Sequence, residues 1–135
     1  MDNQEKRVFN WVVRQGNIIV FADDDKIHLE INKENYPTCL LTKSDAGEVI
    51  NILTNMAEDI WHNPDYTREP YKGKQYILDE DGKVYWDISE TKIFVGLNDQ
   101  HDALEIDFQG SNVTKMPVNI CVEMVQILTH FSNKL

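Results

Sequence analysis

Polar and apolar residues alternate along most of the chain, and the period lengthens from two residues to about 3.6 in only two places. In "VFNWVVR", residues 8 to 14, Phe9, Trp11 and Val13 fall on one side; in "VYWDI", residues 84 to 88, Val84, Trp86 and Ile88 do the same. Each segment is a predicted first strand. "NIIVFA" and "KIFVGL" follow as second strands, and "KIHLEIN" and "ALEIDF" as third strands across the polar turns "DDD" and "NDQH". The third strand keeps Ile27, Leu29 and Ile31 together and turns His28, Glu30 and Asn32 the other way. "TCLLT" and "VTKM" predict a short fourth strand in each run.

After each fourth strand the helical period takes over. Val49, Ile52, Leu53, Met56 and Ile60 form one apolar stripe, with Ser44 as the expected N-cap and Asp45 suited to the positive end of the helix dipole. Met124, Ile127, Leu128 and Phe131 form the second stripe, on a helix expected to start near Pro117 or Asn119.

The two runs match without a gap at a spacing of 75 residues, Val8 to Met56 against Lys83 to Phe131. They share 11 identities over 49 positions, where chance gives roughly 3. Trp11 matches Trp86, Ile18 matches Ile93, Asp24 matches Asp99, Glu48 matches Glu123, and "LEI" and "ILT" recur whole. The expected organisation is one domain. Repeat 1 covers about 8–61, a linker about 62–73, and repeat 2 with a preceding strand "KQYIL" about 74–133. The fold class expected is α+β: an internally duplicated ββββα unit whose two antiparallel sheets pack with two helices around a pseudo-two-fold axis.

Composition narrows the function. The 23 acids against 13 bases leave a net charge of −10, which repels a phosphate backbone, so nucleic acid is a poor default partner. The same charge draws a basic protein. Cys39 and Cys121 stand far apart without CxxC spacing and read as buried free thiols. The longest apolar run, "IIVFA", is far short of a membrane span, and "MDNQEKRVF" has no signal-peptide core. A cytoplasmic protein without a membrane partner is expected, as a monomer or a dimer.

No segment specifies a reaction. His28, His62, His101 and His130 are scattered, with no HxH or HxxxH pair, and neither G-x-S-x-G nor a phosphate-cradling glycine loop occurs. No catalytic residue, metal or cofactor is expected. Asp23, Asp24 and Asp25 lack the alternation and glycine of a calcium loop. They read as a solvated turn or an acidic docking tip. A second tip, Asp79, Glu80 and Asp81, precedes Gly82, and Glu30, Glu105 and Asp107 are expected on outer strand faces. In the linker, Trp61, Tyr66, Tyr71 and Tyr76 alternate with Arg68, Lys72 and Lys74; Tyr66, Arg68 and Tyr71 are candidate interface anchors.

The element order resembles the Whirly and PUR-repeat architecture, in which two four-stranded sheets project from a pair of helices. The resemblance covers nearly the whole chain in element order and almost none of it in motif. Of the Whirly "KGKAAL" motif, "YKGKQYIL" supplies only Lys72, Gly73 and Lys74, and it sits in the linker. Whirly and PUR proteins bind single strands on a basic, aromatic sheet face, where this chain carries Glu30, Glu105 and Asp107. Size, acidity and lack of catalytic motif are similar to bacterial toxin-immunity proteins, including those of contact-dependent growth inhibition. That resemblance implies a non-catalytic binding protein that neutralises a basic toxin such as a nuclease. The partner-binding residues would then be the acidic tips and faces, Asp23, Asp24, Asp25, Glu30, Asp79, Glu80, Asp81, Glu105 and Asp107, with Tyr66, Arg68 and Tyr71. An acidic secretion chaperone, a single-stranded nucleic-acid binder and a small-molecule enzyme are the alternatives.

Overall fold

A computed structural model describes residues 8–23, 25–70 and 72–135. The alternating segments form nine strands: β1 (Phe9–Val12), β2 (Asn17–Asp23), β3 (Lys26–Asn32), β4 (Cys39–Leu41), β5 (Ile77–Leu78), β6 (Val84–Ile88), β7 (Thr91–Leu97), β8 (Leu104–Gln109) and β9 (Val113–Pro117). The two stretches of longer period form α1 (Lys43–Trp61) and α2 (Val118–Ser132). The fold is α+β, with two antiparallel sheets and two helices.

The sheets are not confined to one run each. One sheet has the order β1-β2-β3-β9 and the other β4-β8-β7-β6-β5. The fourth strand of each run therefore completes the sheet of the other: Ile27 lies opposite Met116, and Leu104 opposite Leu41. The cause is local chain geometry. Each fourth strand leads directly into a helix, and crossing to the neighbouring sheet lets both helices lie between the sheets, where α2 touches β7 and β8 of one and β3 and β9 of the other.

The strand faces follow the sequence pattern. Ile27, Leu29 and Ile31 are buried, as are Val84, Trp86 and Ile88, and they join Val49, Leu53, Met56, Ile60, Met124, Leu128 and Phe131 in one continuous core. Burial of each large side chain contributes roughly 1.5–3 kcal/mol. Ile52 and Ile127 are only partly buried at the edges of their stripes.

Three expectations are corrected in detail. The N-cap of α1 is Thr42, not Ser44: its Oγ1 accepts from the Asp45 backbone N–H at 3.0 Å while the Asp45 carboxylate accepts from the Thr42 N–H at 3.0 Å. Both residues offer a hydroxyl, but only Thr42 has an acid three positions on to close the reciprocal pair. The strand expected at "KQYIL" shortens to Ile77–Leu78.

The gapless match between runs also slips in the third strand. Val20 pairs with Leu29, whereas Val95 pairs with Ile106 instead of Leu104. The turn after β7 is longer than the one after β2, and the loop before β9 is shorter than the one before β4, so a two-residue shift opens and closes again. The repeated "LEI" is thus out of structural register by two.

Candidate functional site

The expected docking acids fall into two groups, those that meet a cation of their own chain and those that do not. Asp23 ends β2 and its carboxylate lies 3.1 Å from the Lys115 ammonium on β9. Asp25, in the turn, lies 3.4 Å from Lys26. Asp24 lies outside the described residues. Asp23 and Asp25 thus each stand beside a lysine, from β9 and β3 respectively, which weakens their field toward a partner.

The same holds on the strand faces. Glu105 bonds Lys83, and Asp107 bonds Lys33. Partly shielded pairs of this kind contribute on the order of 1 kcal/mol each. The first depends on Gly96, which stands opposite Glu105 on β7; a Cβ there would fall 2.4 Å from Lys83 Cγ, so the bare backbone lets the lysine cross the strand. Glu30 comes within 3.8 Å of His28 Nε2, and the His28 ring stacks on Phe21 at 4.1 Å between centroids. His28 Nδ1 is buried without a hydrogen-bond partner among the described residues.

The second tip is different. Asp79 donates its N–H to the Lys83 carbonyl at 2.7 Å and accepts from the Gly82 N–H at 3.1 Å, closing a tight turn in which Gly82 has φ +81°. Glu80 and Asp81 are exposed, and Asp79, Glu80 and Asp81 make no ion pair among the described residues. Just before them stand Ile77 and Leu78, 44% and 71% exposed on the outermost strand of its sheet. An unneutralised acidic turn thus adjoins an exposed apolar pair.

The linker is fastened to the body. The Arg68 guanidinium lies 4.5 Å from the Trp61 ring centroid, an attractive cation–π contact. Tyr66 packs against the core, and its hydroxyl pKa is raised by burial, then by Glu69 and Asp25. Tyr71 lies outside the described residues.

The linker's far end is held by Glu123, a residue the sequence pattern used only as a repeat identity. This buried carboxylate accepts from the backbone N–H groups of Gln75 at 2.9 and 3.1 Å and Tyr76 at 2.7 Å, and from Trp86 Nε1 at 2.9 Å. Its signal in the sequence was an acid on the buried side of an otherwise apolar helix, between Ile120 and Ile127.

Between α1 and α2 runs an open groove of about 440 Å³ lined by Thr54, Ala57, Glu58, Trp61, His62, Val122 and Val125. Cys39 and Cys121 are free and buried, and burial pushes both thiols up to about 12. Among the described residues no three potential ligands gather as a metal site, and no helix is long and apolar enough to cross a membrane. Compared with known proteins, the chain matches no family model, no curated protein and no solved structure.

Proposed function

We propose that this is a non-catalytic, cytoplasmic binding protein that inhibits a basic partner, in the manner of bacterial toxin-immunity proteins. The observation that carries the reading is the β5–β6 tip. Among the described residues Glu80 and Asp81 have no ion-pair partner and stand beside exposed Ile77 and Leu78, whereas Glu105, Asp107 and Asp23 are matched by lysines. An interface needs an apolar anchor with unspent charge at its rim. In this reading Asp79, Glu80 and Asp81 steer and pair with Lys or Arg of the partner, and the apolar pair of β5 is covered. The two runs are taken as copies of one ββββα unit related by an approximate two-fold axis, with fourth strands exchanged, as in a Whirly or PUR arrangement.

The test is affinity capture from the source cell with the purified chain as bait, at low and moderate salt, beside a Glu80→Gln/Asp81→Asn variant. One stoichiometric basic protein whose activity the wild type suppresses, and which the variant fails to hold, supports the reading. A partner that both forms hold equally overturns the role of the tip.

A second reading has its own observation. On the outer face of the β7-centred sheet Tyr85 and Phe94 lie 5.0 Å apart, with the Lys92 ammonium 5.1 Å from the Tyr85 centroid. Paired aromatics beside a lysine are the parts of a single-strand platform. Capture of nucleic acid, released steeply by salt and lost in Tyr85→Ala, would select this reading over the first.

A further inference from the structure

In the second run the outer edge of β6 is covered. Ile77 and Leu78 pair with Tyr85 and Val84, and Glu123 holds the backbone just before them together with the Trp86 indole. The first run has the same parts without the cover. Trp11 stands opposite Ile18 as Trp86 stands opposite Ile93. Glu48 lies six residues past the N-cap position of α1, as Glu123 does in α2. Yet among the described residues β1 is the edge of its sheet, Glu48 is exposed without a hydrogen-bond or ion-pair partner, and the buried Trp11 Nε1 has no acceptor. A buried donor without a partner is costly and rare in a finished structure.

We propose that the outer edge of β1 is a docking site for an extended, basic segment of a partner protein. The incoming strand would pair with Phe9 and Asn10, as β5 pairs with Val84 and Tyr85. Glu48 would turn inward to accept its backbone N–H groups and that of the Trp11 indole. The chemistry of the occupant is read from the segment that covers the equivalent edge, "KGKQYIL" at 72–78, which combines two lysines with Tyr-Ile-Leu. A basic segment also suits a chain of net charge −10. The chain's own residues 1–7, "MDNQEKR", contain no aromatic or branched aliphatic residue to match it. Strand addition of this kind draws its affinity from main-chain bonds and its specificity from alternate side chains.

The inference rests on the duplicated, partner-binding reading above, but its test is read at a different place from the β5–β6 tip. A synthetic, terminally blocked KGKQYIL peptide is titrated into the ¹⁵N-labelled full chain while the three tryptophan indole signals are followed, Trp11 being assigned with Trp11→Phe. The expected result is a saturable downfield shift of the Trp11 indole with little change at Trp86. Glu48→Gln should weaken binding at least about tenfold, the loss expected for a charge-assisted bond. A DGDQYIL peptide should bind more weakly than KGKQYIL. The Glu80→Gln/Asp81→Asn variant should bind KGKQYIL as wild type does, which separates this site from the tip. A Trp11 indole unmoved by millimolar peptide, or equal binding by Glu48→Gln, overturns the proposal. So does an indole already in contact, without peptide, with residues 1–7 or with a second copy as concentration rises.

Discussion

Trp86 and Trp11 stand at matching points of two β-ladders and end differently. The Trp86 indole donates to Glu123, which also gathers the Gln75 and Tyr76 amides, so one carboxylate ties a helix, a strand and the returning linker together. Among the described residues the Trp11 indole has no acceptor, and Glu48 is exposed. The difference teaches that a shared strand and helix pattern builds the frame, while the segment laid across its edge decides which half is closed.

The largest expected effect lies at that node. Glu123→Ala strands the buried Trp86 donor and releases the linker, and should destabilise the fold by about 2–4 kcal/mol in urea unfolding, with new protease cleavage near Gln75. Glu48→Ala at the matching position should stay within about 0.5 kcal/mol. Similar losses at the two sites would break the contrast.

A second contrast lies at Phe21 and Gly96, 75 residues apart. Phe21 fills its place by stacking on His28, whereas Gly96 leaves room for Lys83 to reach Glu105. Gly96→Ala would push a methyl group into the Lys83 stem and should cost about 1–3 kcal/mol, measured by denaturant midpoint. A neutral result would mean that Lys83 moves aside freely.

The helix starts give a smaller contrast. Thr42 caps α1 with a reciprocal pair, but Pro117 at the head of α2 offers no side-chain bond. Thr42→Ala should cost about 1 kcal/mol, and Pro117→Ala much less, in the same unfolding assay.

The smallest effect separates the two turns. Asn98 donates to Asp102 at 2.7 Å, with Arg14 at 3.2 Å, and these hold the Asp102 carboxyl below its ordinary value, the Asn98 bond first. Because the folded-state pKa is lowered, the stabilisation is present above the ordinary value of 3.8 and is lost as pH falls through the lowered one. Wild type and Asp102→Asn should therefore converge in stability only once the pH has fallen below the ordinary value of 3.8. A gap that persists under stronger acid would assign the effect to shape instead of charge.

The strands, the helices and their buried faces were legible because their signals are local. Ile27, Leu29 and Ile31 can be sorted from His28 and Glu30 by alternation alone. The exchange of fourth strands was not legible, since "TCLLT" and "VTKM" suit either sheet. Nor could the sequence reveal that Asp107 is met by Lys33 or Asp23 by Lys115, pairs far apart in the chain that only the exchanged sheets bring together. Several of the expected docking acids therefore meet a lysine of their own chain, whereas Asp79, Glu80 and Asp81 make no ion pair among the described residues. Two compensating loop lengths hid the slip of "LEI". Glu123 passed as one more identity because its three donors come from the linker and from β6.

The most direct test of the contrast between the halves is the indole N–H spectrum of the free chain, recorded for wild type, Glu123→Gln and Glu48→Gln. Glu123→Gln should move the Trp86 signal upfield and speed its exchange with solvent, while Glu48→Gln leaves the Trp11 signal in place. A Trp11 signal that shifts with Glu48→Gln as Trp86 does with Glu123→Gln would mean that both halves are already closed, contradicting the account.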